Sequence, residues 1–151
     1  MNKQCQCGKG HVSAWDGKCA NCRTKKEQKQ HSYALRVLSH YTIHVVNKHH
    51  RKIGEYVGRG SPLGNPYPIT EERLRGQAIE AFKPYFKAKV EEGDKRICDE
   101  LNRLLNILLE KKVLVLVCFC APKACHAEVI RDTIYKAMYD YVITTGKGFT
   151  S

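Results

Sequence analysis

The chain has 151 residues, the size of one ordinary domain with a small appendage, and a formal net charge of +11. Nothing reaches the roughly 18 consecutive apolar residues of a membrane span, and no apolar run follows the polar start MNKQCQCGKG as a secretory signal requires. A membrane partner is therefore not expected, and a cytoplasmic location is. Of the eight cysteines, four fall in the first 22 residues and three between 118 and 125, a grouping that suits metal or thiol chemistry in a reducing compartment better than long-range disulfides.

Residues 5–22, CQCGKGHVSAWDGKCANC, read as a zinc ribbon or knuckle. Zinc takes four tetrahedral thiolate or imidazole ligands, and a C-x-x-C turn delivers two sulfurs to one ion. Cys19 and Cys22 form that half, and Cys5 and Cys7 form the other. A C-x-C pair is one residue shorter than usual, so His11 is an alternative to Cys5 or Cys7. Gly8, Gly10 and Gly17 are placed to supply unusual backbone angles. So short a segment buries no core of its own, so the metal would carry its folding.

Charge is unevenly placed. Residues 1–52 hold 11 Lys/Arg against Asp16 and Glu27, or +9, whereas residues 53–151 hold 15 against 13 acids, or +2. Such asymmetry suggests a basic module drawn to a polyanion, of which nucleic acid is the commonest inside a cell. The stretch Arg23 to His31 reads as a basic connector, with a helix continuing from Ser32 to Leu38. Arg23, Lys25, Lys26 and Lys29, with Arg36 further along, are the candidate phosphate contacts, which position a protein without reading sequence.

Tyr41 to Val46 is β-rich and opens the main sheet, and Glu55 to Gly58 suggests a second short strand. Between them, NKHHRK is a polar loop whose paired histidines read as solvated. The segment Gly58 to Pro66, GRGSPLGNP, packs three glycines and two prolines into nine residues and is a loop of fixed shape. Its N–H groups could form an anion nest, with Arg59 adding a planar fork for phosphate. On composition alone a structural loop is as good a reading. Gly60, Ser61, Gly64 and Asn65 complete the candidate ligand-binding set here. Thr70 is placed to cap a helix opening with Glu71 and Glu72, with apolar positions Leu74, Ala78, Ala81, Phe82, Tyr85 and Phe86, and Pro84 is expected to kink or split it. After Gly93-Asp94, the residues Ile97, Leu101, Leu104, Leu105 and Leu108 mark another amphipathic helix, with Cys98 beside the stripe as packing.

Val113 to Val117 is a run of five apolar residues, three of them valine, and reads as a strand buried on both faces. It opens into Cys118, Cys120, Pro122, Lys123, Cys125 and His126. A helix follows, marked by Val129, Ile130, Ile134, Ala137, Met138 and Tyr141. Lys123 to His126 then lie where a strand end meets a helix start, the edge at which open α/β sheets bind ligands and at which helix N–H groups favour anions. Three roles compete for this segment. Cys118, Cys120, Cys125 and His126 could bind a second metal, since residues two apart share a strand face. Cys125, at the helix start near Lys123 and His126, could be a nucleophile with a lowered pKa. Or the cysteines pack the core while Lys123 and His126 hold a phosphate.

The order β-β-α-α-β-α is an α/β fold with helices covering the sheet. Three parts are expected: residues 1–30 as knuckle and basic linker, 31–145 as the α/β domain, and 146–151 as a loose tail.

GRGSPLGNP, followed by an arginine-bearing helix and then by CFCAPKACH (118–126), resembles an uncharacterised domain family of bacteria and phages. Its members carry an IGR-x-S-x-LGNP loop and a C-x-C-x-P-x-x-CHG loop. The resemblance spans residues 42 to about 140. Here Tyr56-Val57 stands near the family's Tyr-Ile, Phe119 replaces a frequent tryptophan, and Ala127 replaces the glycine after Cys-His. The resemblance implies a small Rossmann-like sheet flanked by helices and a bacterial or phage source, the cytoplasm being the host's if the source is a phage; it implies no activity. The functional expectation is a protein acting on nucleic acid or a nucleotide, as hydrolase or transferase, with the ligand's phosphate between loops 58–66 and 118–126 and Cys125 or His126 as catalytic group. The alternatives are a non-catalytic binder that sequesters a nucleotide signal or a host protein, and a DNA-binding regulator.

Overall fold

The computed structural model describes residues 8, 10, 13, 15–47, 53–67, 71, 74–118 and 126–149. Within them lie α1 (Lys25–Leu38), β1 (Thr42–Asn47), β2 (Glu55–Tyr56), α2 (Arg75–Glu91), α3 (Lys95–Lys111), β3 (Val113–Cys118) and α4 (His126–Thr145). The fold is α/β. No helix among the described residues is long and apolar enough to cross a membrane.

The sheet has the order β1-β3-β2, and both pairings are parallel. β3 is its centre: Thr42 to Asn47 of β1 lie opposite Val113 to Cys118, and Glu55 and Tyr56 of β2 lie opposite Leu116 and Val117. The valine-leucine run explains this position, because only a strand flanked on both edges and covered on both faces hides so much apolar surface. Leu114, Leu116 and Cys118 are buried on one face and Val117 on the other. On that second face the chain entering β2 crosses closely at Gly54, where any Cβ would lie 2.6 Å from Val117 Cγ2.

The contacts divide the chain into two compact units, Tyr41–Ile134 and Met1–His40 with Tyr135–Thr150. In the first, α3 packs on β3 and α2 on α3. Its core includes Phe82, Phe86, Leu104, Leu108, Leu116 and Ile130. In the second, Cys19, Ala34, Leu38, Met138 and Val142 are buried.

Several local expectations are corrected. α1 starts at Lys25, inside the stretch read as a connector. The cause is a capping box: Thr24 Oγ1 accepts from Glu27 N–H at 3.1 Å and Glu27 Oε1 accepts from Thr24 N–H at 3.4 Å. α2 starts at Arg75, later than the Glu71 expected, with Leu74 N–H bonded to Glu71 O at 2.9 Å in a preceding turn. Thr70, Glu72 and Arg73 lie outside the described residues. Pro84 does not split α2, which continues to Glu91. The buried stripe of α4 is Ala127, Ile130, Ile134, Met138 and Val142, which leaves Ala137 and Tyr141 exposed. The tail expected to be loose contributes Phe149, whose ring stacks on Tyr141 at 5.1 Å.

Candidate functional site

Because both neighbours of β3 run parallel to it, the segments following β2 and β3 leave the sheet at the same edge. Val57 N–H still bonds Val117 O at 3.0 Å, and the glycine-proline loop begins one residue later. His126, the first residue of α4, is buried, and its Nε2 lies 2.6 Å from Val57 O. A carbonyl only accepts, so Nε2 carries the proton and donates it. One hydrogen bond thus ties the start of α4 to the residue before the loop. The ring also meets Phe82 edge-on at 5.3 Å. Burial pushes the His126 pKa down, the Val57 bond opposes this, and the Arg59 charge adds to the lowering. The net result favours a neutral imidazole.

Loop 58–66 is held mainly by its own groups. Arg59 is not a free fork for phosphate: Nη1 donates to Asn65 O at 2.7 Å and Nη2 to Tyr67 O at 2.8 Å. Asn65 is buried, its Nδ2 donating to Ala78 O at 3.1 Å and its Oδ1 accepting from Tyr67 N–H at 2.9 Å. Ser61 Oγ donates to Gly58 O at 2.7 Å, and Tyr56 Oη donates to Arg59 O at 2.9 Å. The N–H groups of Ser61 and Gly64 turn inward, onto Gly58 O and Ser61 O. Gly64 sits where the loop crosses itself, since a Cβ there would be 2.7 Å from Gly58 O. Gly60 is different: its φ is +91° and nothing stands within 4 Å of where a Cβ would be, so its backbone faces open space.

Of the cysteines near this edge, Cys118 is 1% exposed at the end of β3, a position that suits packing. Cys120, Lys123 and Cys125 lie outside the described residues. So do Cys5, Cys7 and His11 of the N-terminal segment and the histidine pair of NKHHRK. Cys19 and Cys22 are described, and their sulfurs lie 3.6 Å apart across a turn in which Cys22 N–H bonds Cys19 O at 3.0 Å. Gly8 and Gly17 have φ of +74° and +68°, as that segment's turns require. Gly10 has no such φ, and a Cβ on it would stand 3.4 Å from that of Cys19, an ordinary contact.

A second polar cluster, which the sequence did not disclose, lies beside that turn. Arg23 Nε and Nη2 donate to Asp16 Oδ2 and Oδ1 at 2.8 and 3.1 Å, and Nη2 also reaches Lys18 O at 3.0 Å. Arg23 is therefore spent within the fold, with its side chain 5% exposed, rather than presented to phosphate. His31 Nδ1 is 2.7 Å from Tyr139 Oη, and Trp15 stacks on the Tyr139 ring at 5.7 Å. Burial raises the Asp16 carboxyl, but hydrogen bonds from Arg23 and the Lys18 N–H outweigh it and hold the group below its ordinary value. Burial, with Asp16 adding, pushes Tyr139 up to about 12.

No curated protein and no solved structure matches the chain. One family model, described as a domain of unknown function (DUF4326), matches residues 43–136, from β1 into α4 and through both motif loops. The chain belongs to that family.

Proposed function

We propose that the protein holds a phosphate-bearing ligand, a nucleotide or nucleic acid, at the sheet edge where loop 58–66 and segment 118–126 leave β2 and β3. The observation that carries the reading is the 2.6 Å contact from His126 Nε2 to Val57 O, which brings the two segments to one place although 69 positions separate these residues. A 20-residue helix starts there, and its first N–H groups and dipole favour an anion. Gly60 offers open backbone on the loop side. Lys123 supplies the cation and Cys125 the candidate nucleophile, activated by its place before the helix. A Rossmann-like description of the sheet accords with this edge as the ligand side.

His126 is better suited to positioning than to catalysis, because its Nε2–H is committed to a buried carbonyl. That favours the second reading, a binder that sequesters a nucleotide signal or a host protein without turnover. The N-terminal segment is read as a zinc site of Cys5, Cys7, Cys19 and Cys22. The 3.6 Å between the Cys19 and Cys22 sulfurs fits two corners of a tetrahedron with metal–sulfur bonds of about 2.3 Å. Zinc there would supply structure only. A cytoplasmic protein from a bacterium or phage is the setting proposed.

Native mass spectrometry of the purified protein, followed by incubation with nucleotides, tests the reading. Lys123→Ala is expected to weaken nucleotide binding by roughly tenfold or more, the loss of a charged hydrogen bond. Turnover abolished by Cys125→Ser with binding intact makes the protein an enzyme, and ligand released unaltered on denaturation makes it a binder. Nucleotide affinity that is absent, or unmoved by Lys123→Ala, sinks the proposed site.

A further inference from the structure

On the outward side of α1 the cations lack the acid partners that most described cations of the other helices have. Lys83, Lys87, Lys89, Lys95, Arg103, Arg131 and Lys136 each pair with an acid. Lys25, Lys26, Lys29 and Arg36 have no acid partner among the described residues, and all four are exposed. At 100° per residue they fall, with Ser32 and Tyr33, within an arc of about 120° opposite the buried His31, Ala34 and Leu38. The single acid of the helix, Glu27, lies on the other side, paired with Lys18 and closing the cap. The result is a face about 16 Å long from Lys25 to Arg36, uninterrupted by negative charge.

Aromatic rings border this face. Tyr33 is 36% exposed, with the Arg36 guanidinium 5.9 Å from its ring centre. Gly148 lies against it, since a Cβ there would be 3.3 Å from Tyr33 Oη. The next residue, Phe149, stacks on Tyr141, which is 47% exposed. Lys147, just before, is exposed too. Cations alone would suit any polyanion. Cations beside exposed rings suit one whose bases are unpaired, because a ring can stack on a base only where the base is out of a duplex. The surface also lies outside residues 43–136, so it is an addition of this chain to the family domain.

We infer that α1 and the C-terminal end of α4 with the segment after it form a platform for single-stranded nucleic acid, with Lys25, Lys29 and Arg36 on phosphates and Tyr33 and Tyr141 beneath bases. This rests on the nucleic-acid half of the proposed function and keeps Arg36 but not Arg23 among the contacts. It does not need the sheet-edge site.

Fluorescence anisotropy with a labelled single-stranded oligonucleotide and with its duplex, across salt concentrations, tests it. The single strand binds more tightly, with a log–log salt slope of about −2 to −3, from about 0.7 per phosphate contact. Joint Lys25→Ala, Lys29→Ala and Arg36→Ala substitution flattens that slope by about 2. Tyr33→Ala weakens binding about 5- to 100-fold at unchanged slope, and Tyr33→Phe restores it. Circular dichroism of each variant confirms that α1 is intact. Equal affinity for duplex with no effect of Tyr33→Ala overturns the inference, as does no binding at low salt. Mononucleotide binding at the sheet edge is read separately and is unchanged by the joint α1 substitution, so failure at the sheet edge and failure here are told apart.

Discussion

A histidine whose proton is committed to a buried carbonyl makes stability depend on pH in a definite direction. Burial is the main cause that lowers the pKa of both His126 and His31 below the ordinary 6.5. In the unfolded chain both take a proton near pH 6.5, while in the fold they stay neutral to lower pH. The unfolded state therefore binds more protons in that interval, and stability present above pH 6.5 is lost as pH falls towards the folded values. Melting temperature should drop between pH 7.5 and 5.5. His126→Gln, which keeps a donor for Val57 O but does not titrate, should flatten part of that drop. His126→Ala should cost about 1–3 kcal/mol at pH 7.5 by leaving a buried carbonyl unmet. A pH slope identical in wild type and His126→Gln would mean that this ring titrates as in water. At this scale the sequence discloses residue types but not their partners. It offers Arg59 and Asn65 as ligand contacts because a guanidinium and an amide suit that work, yet Arg59 bonds the carbonyls of Asn65 and Tyr67 and Asn65 bonds the Ala78 carbonyl of α2. Nothing in a string of letters distinguishes a carbonyl of the chain from an oxygen of a ligand.

Elements were more legible where burial governs them and less where local hydrogen bonds do. The apolar spacing of α3 and the valine run of β3 were readable because periodicity records which side is buried. The start of α1 was obscured by a polar composition, although Thr24 and Glu27 stand at capping-box spacing. α2 teaches the converse, since its interior proline was expected to break or bend it. Pro84 donates no hydrogen bond and crowds the preceding turn, but Phe82 and Phe86 on either side are 0% and 2% exposed. Their burial, about 1.5–3 kcal/mol for each such side chain, outweighs the cost of about 3 kcal/mol for the proline. Pro84 itself is exposed, so Pro84→Ala removes that cost without opening a cavity. The variant should be more stable, by up to about 3 kcal/mol, in chemical denaturation. An unchanged or lower midpoint would show that the ring fits the helix without strain.

For the whole molecule, the question is what holds the N-terminal segment in place when it is too short to bury a core. Around Trp15 the described contacts are aromatic and ionic: Tyr139 stacks on it, Tyr135 meets it edge-on at 6.2 Å, Lys136 Nζ donates to its carbonyl, and Asp16 next to it binds Arg23. The Asp16–Arg23 pair is largely buried, a setting in which the loss of hydration offsets much of the attraction. Ring contacts add about 0.5–1.5 kcal/mol apiece. These are small against an ordering cost of about 1–2 kcal/mol for each residue held, a balance that the zinc proposed at the cysteines would supply. The chain has one tryptophan, which makes the consequence easy to read. Stripping metal with a chelator should shift Trp15 emission to the red as it leaves the tyrosines. The far-UV helical signal should fall only slightly, because α2, α3 and β3 bury Phe82, Leu104 and Leu116 without that segment. Cys19→Ser with Cys22→Ser should reproduce the stripped spectrum, and added zinc should reverse the first change but not the second. Emission that ignores the chelator would leave the aromatic cluster able to hold itself, and the zinc reading of the cysteines would fall.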